Sequence, residues 1–103
     1  MVLATGWTMR AHRVDANQSE IVAAFERLGC SVIDLSAVGG GVPDLAVSVF
    51  RQTVFVEVKT PVGELEPSQV RFHRESKAWI EVARDMADVE RIVAAMRRQV
   101  HRG

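Results

Sequence analysis

Apolar and polar positions along the chain predict three helices. The first helix carries an apolar stripe at helical spacing that consists of Ile21, Ala24, Phe25 and Leu28. Asp15 can cap its start, with Gln18 three positions later as in a capping box, and Gly29 can end it. The other two helices are predicted over about residues 67–77 and 85–102, the former with a proline at its first position.

Four strand-like segments alternate with these helices. Each combines apolar–polar alternation with β-branched or aromatic residues, and together they cover residues 30–36, 45–50, 53–60 and 78–84. The order of elements is therefore α-β-β-β-α-β-α. This order predicts an α/β fold in which helices cover a central sheet.

The second and third strands are close enough in sequence to form a hairpin. If Arg51–Gln52 is the turn, the register places Asp44 opposite Lys59 and Ala46 opposite Glu57. Because side chains alternate between the faces of a strand, these four residues share one face near the hairpin end that is far from the turn. Two carboxylates and an ammonium group would meet there.

The opposite face of the hairpin is entirely apolar and is expected to belong to the core. It consists of Leu45, Val47, Val49, Val54, Val56 and Val58. For the polar face, two interpretations remain open. Asp44 and Lys59 could form an ordinary exposed ion pair, worth about 0–1 kcal/mol, with Glu57 facing solvent. The alternative is a reactive site.

A glycine-rich loop directly precedes Asp44. Residues 39–41 are all glycine, and Pro43 fixes its own φ angle while restricting Val42. Such a loop can admit a ligand close to the backbone, with Gly40 and Gly41 as candidate contacts, or it can be a flexible connection and no more.

Length and composition predict one globular domain. We expect residues 1–14 to form a flexible arm and residues 15–103 to form the domain. Cys30 is the only cysteine, so it has no partner for a disulfide or a zinc site, and it is expected to be a small buried residue. The sequence has neither an apolar run of membrane-spanning length nor the apolar core of a signal peptide, which favours a cytoplasmic protein.

The formal net charge is zero, but the charges are unevenly distributed. Residues 1–70 hold five Lys or Arg against eight Asp or Glu, and residues 71–103 hold eight against five. The zero balance argues against a generally basic nucleic-acid-binding protein. The asymmetry suits a protein that binds cations in one region and phosphates in another.

The motif VPD at residues 42–44, followed by EVK at residues 57–59, resembles the PD-(D/E)XK nuclease signature. The surrounding segments SEIVAAFERLGC, GGGVPDL and VFVEVKTPVGELEPSQVRFH are similar to the VRR-NUC family, whose members include small stand-alone phage proteins related to Holliday junction resolvases. The resemblance covers roughly residues 18–93. It implies a restriction-endonuclease-like fold with a mixed central sheet. One departure is Glu66 before Pro67, where the family has Ser or Thr, a better helix cap.

The resemblance implies a role for each matching residue. Asp44, Glu57 and the backbone carbonyl of Val58 would bind Mg²⁺ or Mn²⁺, hard cations that prefer oxygen ligands. Lys59 would orient the attacking water and stabilise charge on the phosphate, as a cation rather than a free base because carboxylates surround it. Glu20 would complete the metal site, directly or through water.

Gln69 matches a glutamine of the helix that follows in the family, where it would support the site. Both Glu20 and Gln69 have simpler interpretations. Glu20 suits the first turn of a helix as a solvated carboxylate, and Gln69 could be a surface residue. His73, one helical turn after Gln69, could contact phosphate or metal, although a single histidine is more often structural. Trp79 and Phe72 are expected in the core.

The function implied by the resemblance is metal-dependent hydrolysis of DNA by an endonuclease, with recognition of branched, flap or nicked DNA by shape. We expect a homodimer, no organic cofactor, and a location in the cytoplasm of a bacterial or phage-infected cell. Cations expected to contact the DNA backbone are Arg71, Arg74, Lys77, Arg97 and Arg98. Two alternatives remain: a catalytically silent nuclease fold that binds DNA or protein, and a nuclease that acts on RNA.

Overall fold

The computed structural model describes the backbone of residues 16–102 and the side chains of residues 17–100. Its helices are α1 (Ala16–Arg27), α2 (Pro67–Glu75) and α3 (Met86–Arg102), and its strands are β1 (Ser31–Asp34), β2 (Leu45–Val49), β3 (Gln52–Val58) and β4 (Ile80–Ala83). The predicted order α-β-β-β-α-β-α is confirmed. The predicted arm over residues 1–14 and the capping residue Asp15 lie outside the described residues.

The four strands form one sheet in the order β1-β2-β3-β4. β1, β2 and β3 pair in antiparallel fashion, and β4 joins β3 in parallel. The sheet is therefore mixed, as expected. Because β4 runs parallel to β3, the connection between them must cross over, and it does so through α2.

The core lies between one face of the sheet and the helices α1 and α3. Ile21 and Phe25 of α1, together with Ile92 and Met96 of α3, have no exposed surface. They pack in one cluster with the apolar face of the hairpin, where Val49 and Val58 are partly buried and the other four residues are fully buried. Cys30 is buried in the same cluster, as expected.

The apolar stripes along α1 and α3 are buried over most but not all of their length. Leu28 lies beyond the last residue of α1 and is 45% exposed, which departs from the sequence prediction. It is exposed because the chain turns away at Gly29, whose φ of 91° ends the helix. In α3 the terminal Met86 and Val100 are also exposed, while the stripe between them is buried.

The predicted hairpin register is wrong: the turn lies one residue earlier in the chain than predicted, so each residue of β2 pairs with a residue of β3 two positions before its predicted partner. Val49 pairs with Gln52, so the turn is Phe50–Arg51, and both turn residues have positive φ, 55° and 62°. Type I′ hairpin turns require such angles, which glycine and asparagine normally supply. Here α3 supports the turn: the Arg97 guanidinium lies 4.7 Å from the centre of the Phe50 ring, and Gln52 Nε2 donates to the Met96 carbonyl at 2.6 Å.

The correction moves every cross-strand pair but leaves each side chain on its predicted face. Ala46 lies opposite Phe55, not Glu57. Continued by one residue, the same register brings Asp44 next to Glu57, not Lys59. The two carboxylates are thus direct neighbours.

None of the helices within residues 16–102 is long and apolar enough to cross a membrane.

Candidate active site

Asp44 is fixed between two strands at the start of β2. Its backbone carbonyl accepts a hydrogen bond from the Leu35 N–H at 2.6 Å, and its carboxylate Oδ2 accepts one from the Val58 N–H at 2.9 Å. The loop before it turns through Gly39, Gly40 and Gly41, which all have positive φ. The backbone contacts on both sides therefore set the direction of the Asp44 side chain.

Glu57 is on the same sheet face and is almost completely buried, with 1% of its surface exposed. Gln69 Nε2 donates to Glu57 Oε2 at 2.9 Å, whereas Glu57 Oε1 has no hydrogen-bond partner among the described residues. The pKa of Glu57 is raised to about 8, first by burial and then by the adjacent Asp44 carboxylate, while the charge of Lys59 lowers it. A buried carboxylate beside a second one is stabilised by a proton or by a cation.

The backbone carbonyl of Val58 faces the same side as the Asp44 carboxylate. The N–H groups of Phe55 and Lys59 bond to β4, so alternation along β3 directs both backbone groups of Val58 toward the opposite edge. Its N–H does meet Asp44 there. The three oxygen donors implied by the resemblance therefore lie on one side of one strand end.

Lys59 follows Glu57 by two residues, and the backbone around it is anchored. Its N–H bonds to the Ala83 carbonyl at 3.1 Å, and its own carbonyl accepts from Asn17 Nδ2 of α1 at 2.7 Å. Arg84 stabilises the following turn by donating to the carbonyls of Thr60 and Gly63. These contacts fix the base of the Lys59 side chain on the face that carries Glu57.

α2 covers this face of the sheet through Gln69 and the glycine loop. The Gln69 amide oxygen accepts the Glu66 N–H at 2.7 Å, so one side chain bonds both the helix start and Glu57. A Cβ atom added to Gly41 would lie 2.4 Å from the Ser68 carbonyl oxygen, which shows how closely the loop packs against α2. Gly40 has open space around it and remains accessible.

Comparison with solved structures finds a neighbour described as "VRR_NUC domain". The two chains share 32% sequence identity, the match covers 75% of this chain and 89% of the other, and the TM-score is 0.61. The chain belongs to the VRR-NUC family. No protein-family model matches the sequence, and no curated protein does. The solved neighbour is consistent with the restriction-endonuclease-like α/β fold and identifies the chain as a member of a nuclease family.

Within this VRR-NUC domain, the structure brings some implied site residues together and leaves another apart. Asp44, Glu57 and Gln69 are in contact, directly or through one hydrogen bond. Glu20 is exposed on α1, one turn after Asn17, whose side chain reaches the Lys59 carbonyl. Among the described residues no group of three or more His, Cys, Asp or Glu side chains is arranged to hold a metal ion. A direct contact of Glu20 with a bound metal would therefore need its side chain to move.

The five cations of the VRR-NUC domain that were predicted to contact DNA fall into two regions. Arg71 and Arg74 are exposed on α2, and Lys77 is exposed just after it, on the helix that covers Glu57. Arg97 instead lies over Phe50 at the hairpin turn, with the exposed Arg98 beside it in α3. The five-residue strand β2 lies between the turn and Asp44, so the turn is roughly 17 Å from Asp44 at about 3.3 Å per residue.

Several residues that support the site were not singled out from the sequence. Asn17, Arg84 and Asp34 anchor the chain around it; Asp34 ends β1 and accepts the Gln18 side-chain amide at 3.3 Å. Their contacts join positions that lie far apart in sequence. Only the buried polar position of Gln18, on the otherwise apolar side of α1, could have indicated such a contact.

Proposed function

We propose that this VRR-NUC domain is a Mg²⁺- or Mn²⁺-dependent DNA endonuclease that hydrolyses phosphodiester bonds, with selectivity for branched, flap or nicked DNA. The observation that carries the proposal is the pair formed by Asp44 and Glu57. Two carboxylates are adjacent, one of them is buried, and its Oε1 has no partner within residues 17–100. A divalent cation satisfies such a pair without requiring a proton.

The residues present fit a divalent cation. Mg²⁺ typically binds one or two carboxylates and keeps several waters, so Asp44, Glu57 and the Val58 carbonyl are a sufficient protein contribution. Glu20 would take part through water. A bound divalent cation offsets negative charge on a phosphate group, which is the chemistry that hydrolysis of a phosphodiester needs.

The remaining residues have distinct tasks in this proposal. Lys59 orients the attacking water and stabilises negative charge that develops on the phosphate. Gln69 holds Glu57 in place by its hydrogen bond. The cations of α2 contact phosphates near the site, with the glycine loop at Gly40 as an approach surface. Phosphate contacts position DNA without reading its sequence, which favours recognition by shape.

We further propose that the domain acts as a homodimer in the cytoplasm of a bacterial or phage-infected cell. Within residues 16–102, β1 is an edge strand, and Ile33 on it is 58% exposed, with the neighbouring loop residue Val38 62% exposed. Edge strands with exposed apolar residues favour association with another chain. Analytical ultracentrifugation tests this: a dimer that dissociates in the Ile33→Lys variant supports it, and a monomeric wild-type protein at micromolar concentration contradicts it.

The enzymatic proposal is tested by a panel of substrates. Linear duplex, supercoiled, single-stranded, flap and four-way DNA, with a matched RNA duplex, are incubated with Mg²⁺, Mn²⁺ or EDTA. We expect cleavage that requires the metal and is fastest on branched DNA. Absence of cleavage with either metal, or equal cleavage in EDTA, contradicts the proposal. Calorimetry with Mn²⁺ then separates the alternatives, since a DNA-binding module without nuclease activity would show no binding at millimolar concentrations.

A further inference from the structure

One side-chain contact joins the first helix to the strand end that carries Lys59. Asn17 Nδ2 of α1 donates to the backbone carbonyl of Lys59 at 2.7 Å, and the two residues are 42 positions apart in the chain. Asn17 is half-buried, so the bond is partly shielded from water. Asparagine side chains near a helix start commonly bond backbone groups of the same helix. This one bonds a residue of the proposed active site.

Lys59 lies at the point where the chain leaves the sheet. β3 ends at Val58, and the N–H of Lys59 bonds to the Ala83 carbonyl of β4 at 3.1 Å. Ala83 is the last residue of β4, so that strand has no further residue to pair with the Lys59 carbonyl. Asn17 supplies the donor for that carbonyl. The peptide groups on both sides of the Lys59 Cα are therefore fixed, one by the sheet and the other by α1.

The turn after Lys59 is held by different groups. The Gly63 N–H bonds to the Thr60 carbonyl at 3.1 Å, and the Arg84 guanidinium donates to the carbonyls of Thr60 and Gly63. These bonds do not involve α1, so they would remain without the Asn17 side chain. Removal of that side chain should therefore release one peptide group next to Lys59 without releasing the whole segment.

The same turn of α1 carries Glu20. Asn17 and Glu20 are three positions apart and so lie on the same side of the helix. The apolar core packs α1 against the sheet as a whole, whereas the Asn17 bond places the first turn of α1 against Lys59 itself. One hydrogen bond thus connects the two elements that carry these two predicted site residues.

We propose that Asn17 is a positioning residue for the reaction: by holding the Lys59 carbonyl, it sets the direction in which the Lys59 side chain leaves the backbone. Asn17 does not contact the substrate, and its contribution is made through Lys59. Because a misplacement of about 1 Å in a catalytic site can lower the rate about 100-fold, the loss of one of the two backbone anchors of Lys59 should be visible in kcat. The catalytic consequence rests on the proposed function, whereas the effect on the backbone at Lys59 does not.

Two variants of Asn17 and a matched control test the catalytic consequence. Asn17→Leu is similar in size but cannot donate, and Asn17→Ser stays polar but is too short to reach the carbonyl. The control Gln52→Leu removes a bond of the same kind, from a side-chain amide to the Met96 carbonyl at 2.6 Å, at the hairpin end away from the site.

We expect both Asn17 variants to lower kcat about tenfold with KM changed less than about twofold, since the geometry of Lys59 matters in the transition state and not for substrate binding. Gln52→Leu should change kcat less than about twofold, because it removes a structural contact only. Equal kcat in the Asn17 variants and in Gln52→Leu overturns the proposal.

A second readout, hydrogen exchange, does not use activity. Exchange of the Lys59 N–H reports on the end of β3, and exchange of the Phe55 N–H, which bonds to the Trp79 carbonyl at 2.9 Å, reports on the other end of the same strand pairing. We expect Asn17→Leu to speed exchange at Lys59 about threefold to tenfold, as for the loss of one hydrogen bond, and to leave Phe55 as in the wild type. Unchanged exchange at Lys59, or an equal rise at both residues, contradicts the proposal.

The two readouts separate the failure of this inference from the failure of the proposed function. If the wild type cuts no nucleic acid, the proposed function fails and the catalytic consequence with it, and exchange at Lys59 still decides whether Asn17 holds the end of β3. If the wild type cuts DNA and the Asn17 variants do so at the same rate, the function stands and the positioning role is wrong. Thermal unfolding establishes that each variant is folded, and Asn17→Ser replaces Asn17→Leu in both measurements if the leucine variant does not fold.

Discussion

The side-chain amide of Gln69 donates a hydrogen bond to the buried carboxyl group of Glu57 over 2.9 Å, while its oxygen accepts the N–H of Glu66 at the start of α2. One side chain thus links the helix to the candidate active site. The link explains how a carboxyl group on the side of the sheet away from the main core becomes 99% buried. It also means that the stability of α2 and the geometry of the site depend on the same residue.

Replacement of Gln69 by leucine should therefore affect both stability and activity. The variant loses two hydrogen bonds and leaves Glu57 without a donor, so we expect the free energy of unfolding to fall by about 1–3 kcal/mol and cleavage to fall with it. Gln99→Leu is the matched control because Gln99 is exposed on α3. Urea denaturation gives the comparison. A Gln69→Leu protein as stable and as active as the control would show that this link has no function.

The pKa of Glu57 predicts how stability depends on pH. Because burial and Asp44 raise that pKa from 4.5 to about 8, the folded protein keeps a proton between those values that the unfolded chain has lost. The free energy of unfolding should then decrease as the pH rises from about 4.5 to about 8. In Glu57→Gln this decrease should be much smaller. Thermal unfolding at pH 6 and pH 8 measures the difference, and parallel pH curves for the two proteins would contradict the assignment.

In the wild type, a divalent cation should offset the loss of stability that is expected as the pH rises. Ligands bind metal when deprotonated, so millimolar Mn²⁺ should raise Tm more at pH 8 than at pH 6, and should raise it little in Glu57→Gln. The control for unspecific ion effects is Glu64→Gln, which removes an exposed carboxylate from the loop before α2. Equal stabilisation of all three proteins would indicate that Mn²⁺ binds elsewhere.

Alanine substitutions at two adjacent glycines distinguish the effect of backbone strain from the effect of close packing. Gly40 and Gly41 both have positive φ, so alanine is strained at either position, but only at Gly41 would the added Cβ meet a backbone atom, 2.4 Å away on Ser68. We expect Gly41→Ala to lose about 1–3 kcal/mol more stability than Gly40→Ala, in line with overpacking of a close contact. The measurement is chemical denaturation of both variants. Similar losses would show that the loop does not pack closely against α2.

The cations should differ in their effect on DNA binding according to their position. Arg71→Ala and Arg74→Ala remove exposed charges from the helix over Glu57, so each should weaken binding and make the salt dependence of binding less steep by about one phosphate contact. Arg27→Ala, exposed at the end of α1, is the control. The contact of Arg97 and Arg98 with the DNA backbone stays a prediction, and the same measurement tests it. A change in salt dependence for Arg97→Ala would show that DNA extends toward the hairpin turn, and none for Arg71→Ala would contradict the proposed surface.

The order of helices and strands could be predicted from the sequence because each element has a regular apolar pattern. The register of the hairpin could not. Residues such as Phe50 and Arg51 rarely adopt positive φ, and the turn is supported by two contacts with α3, of Phe50 with Arg97 and of Gln52 with Met96. The shared face of Asp44, Glu57 and Lys59 was still predicted, because moving the turn by one residue shifts the pairing by two positions, and a shift of two leaves every side chain on its face.

The burial of Glu57 could not be predicted either. Alternation alone places it on the polar face of the hairpin, where solvent exposure is the ordinary expectation. It is buried because α2 closes over it, through the Gln69 hydrogen bond and through the space that Gly41 leaves beside Ser68. The resemblance named Gln69, but the physical reason for its place in the site is visible only in three dimensions.

Cleavage of four-way and supercoiled DNA in Mg²⁺ by the wild type, Glu57→Gln and Glu64→Gln measures whether the buried carboxylate of Glu57 is required for the reaction. We expect metal-dependent cutting by the wild type and by Glu64→Gln, and a loss of at least about 100-fold, or about 2.7 kcal/mol in the activation free energy, in Glu57→Gln. Circular dichroism establishes that the three proteins are equally folded. Equal cleavage by the wild type and Glu57→Gln would contradict a role of Glu57 in a metal-dependent active site.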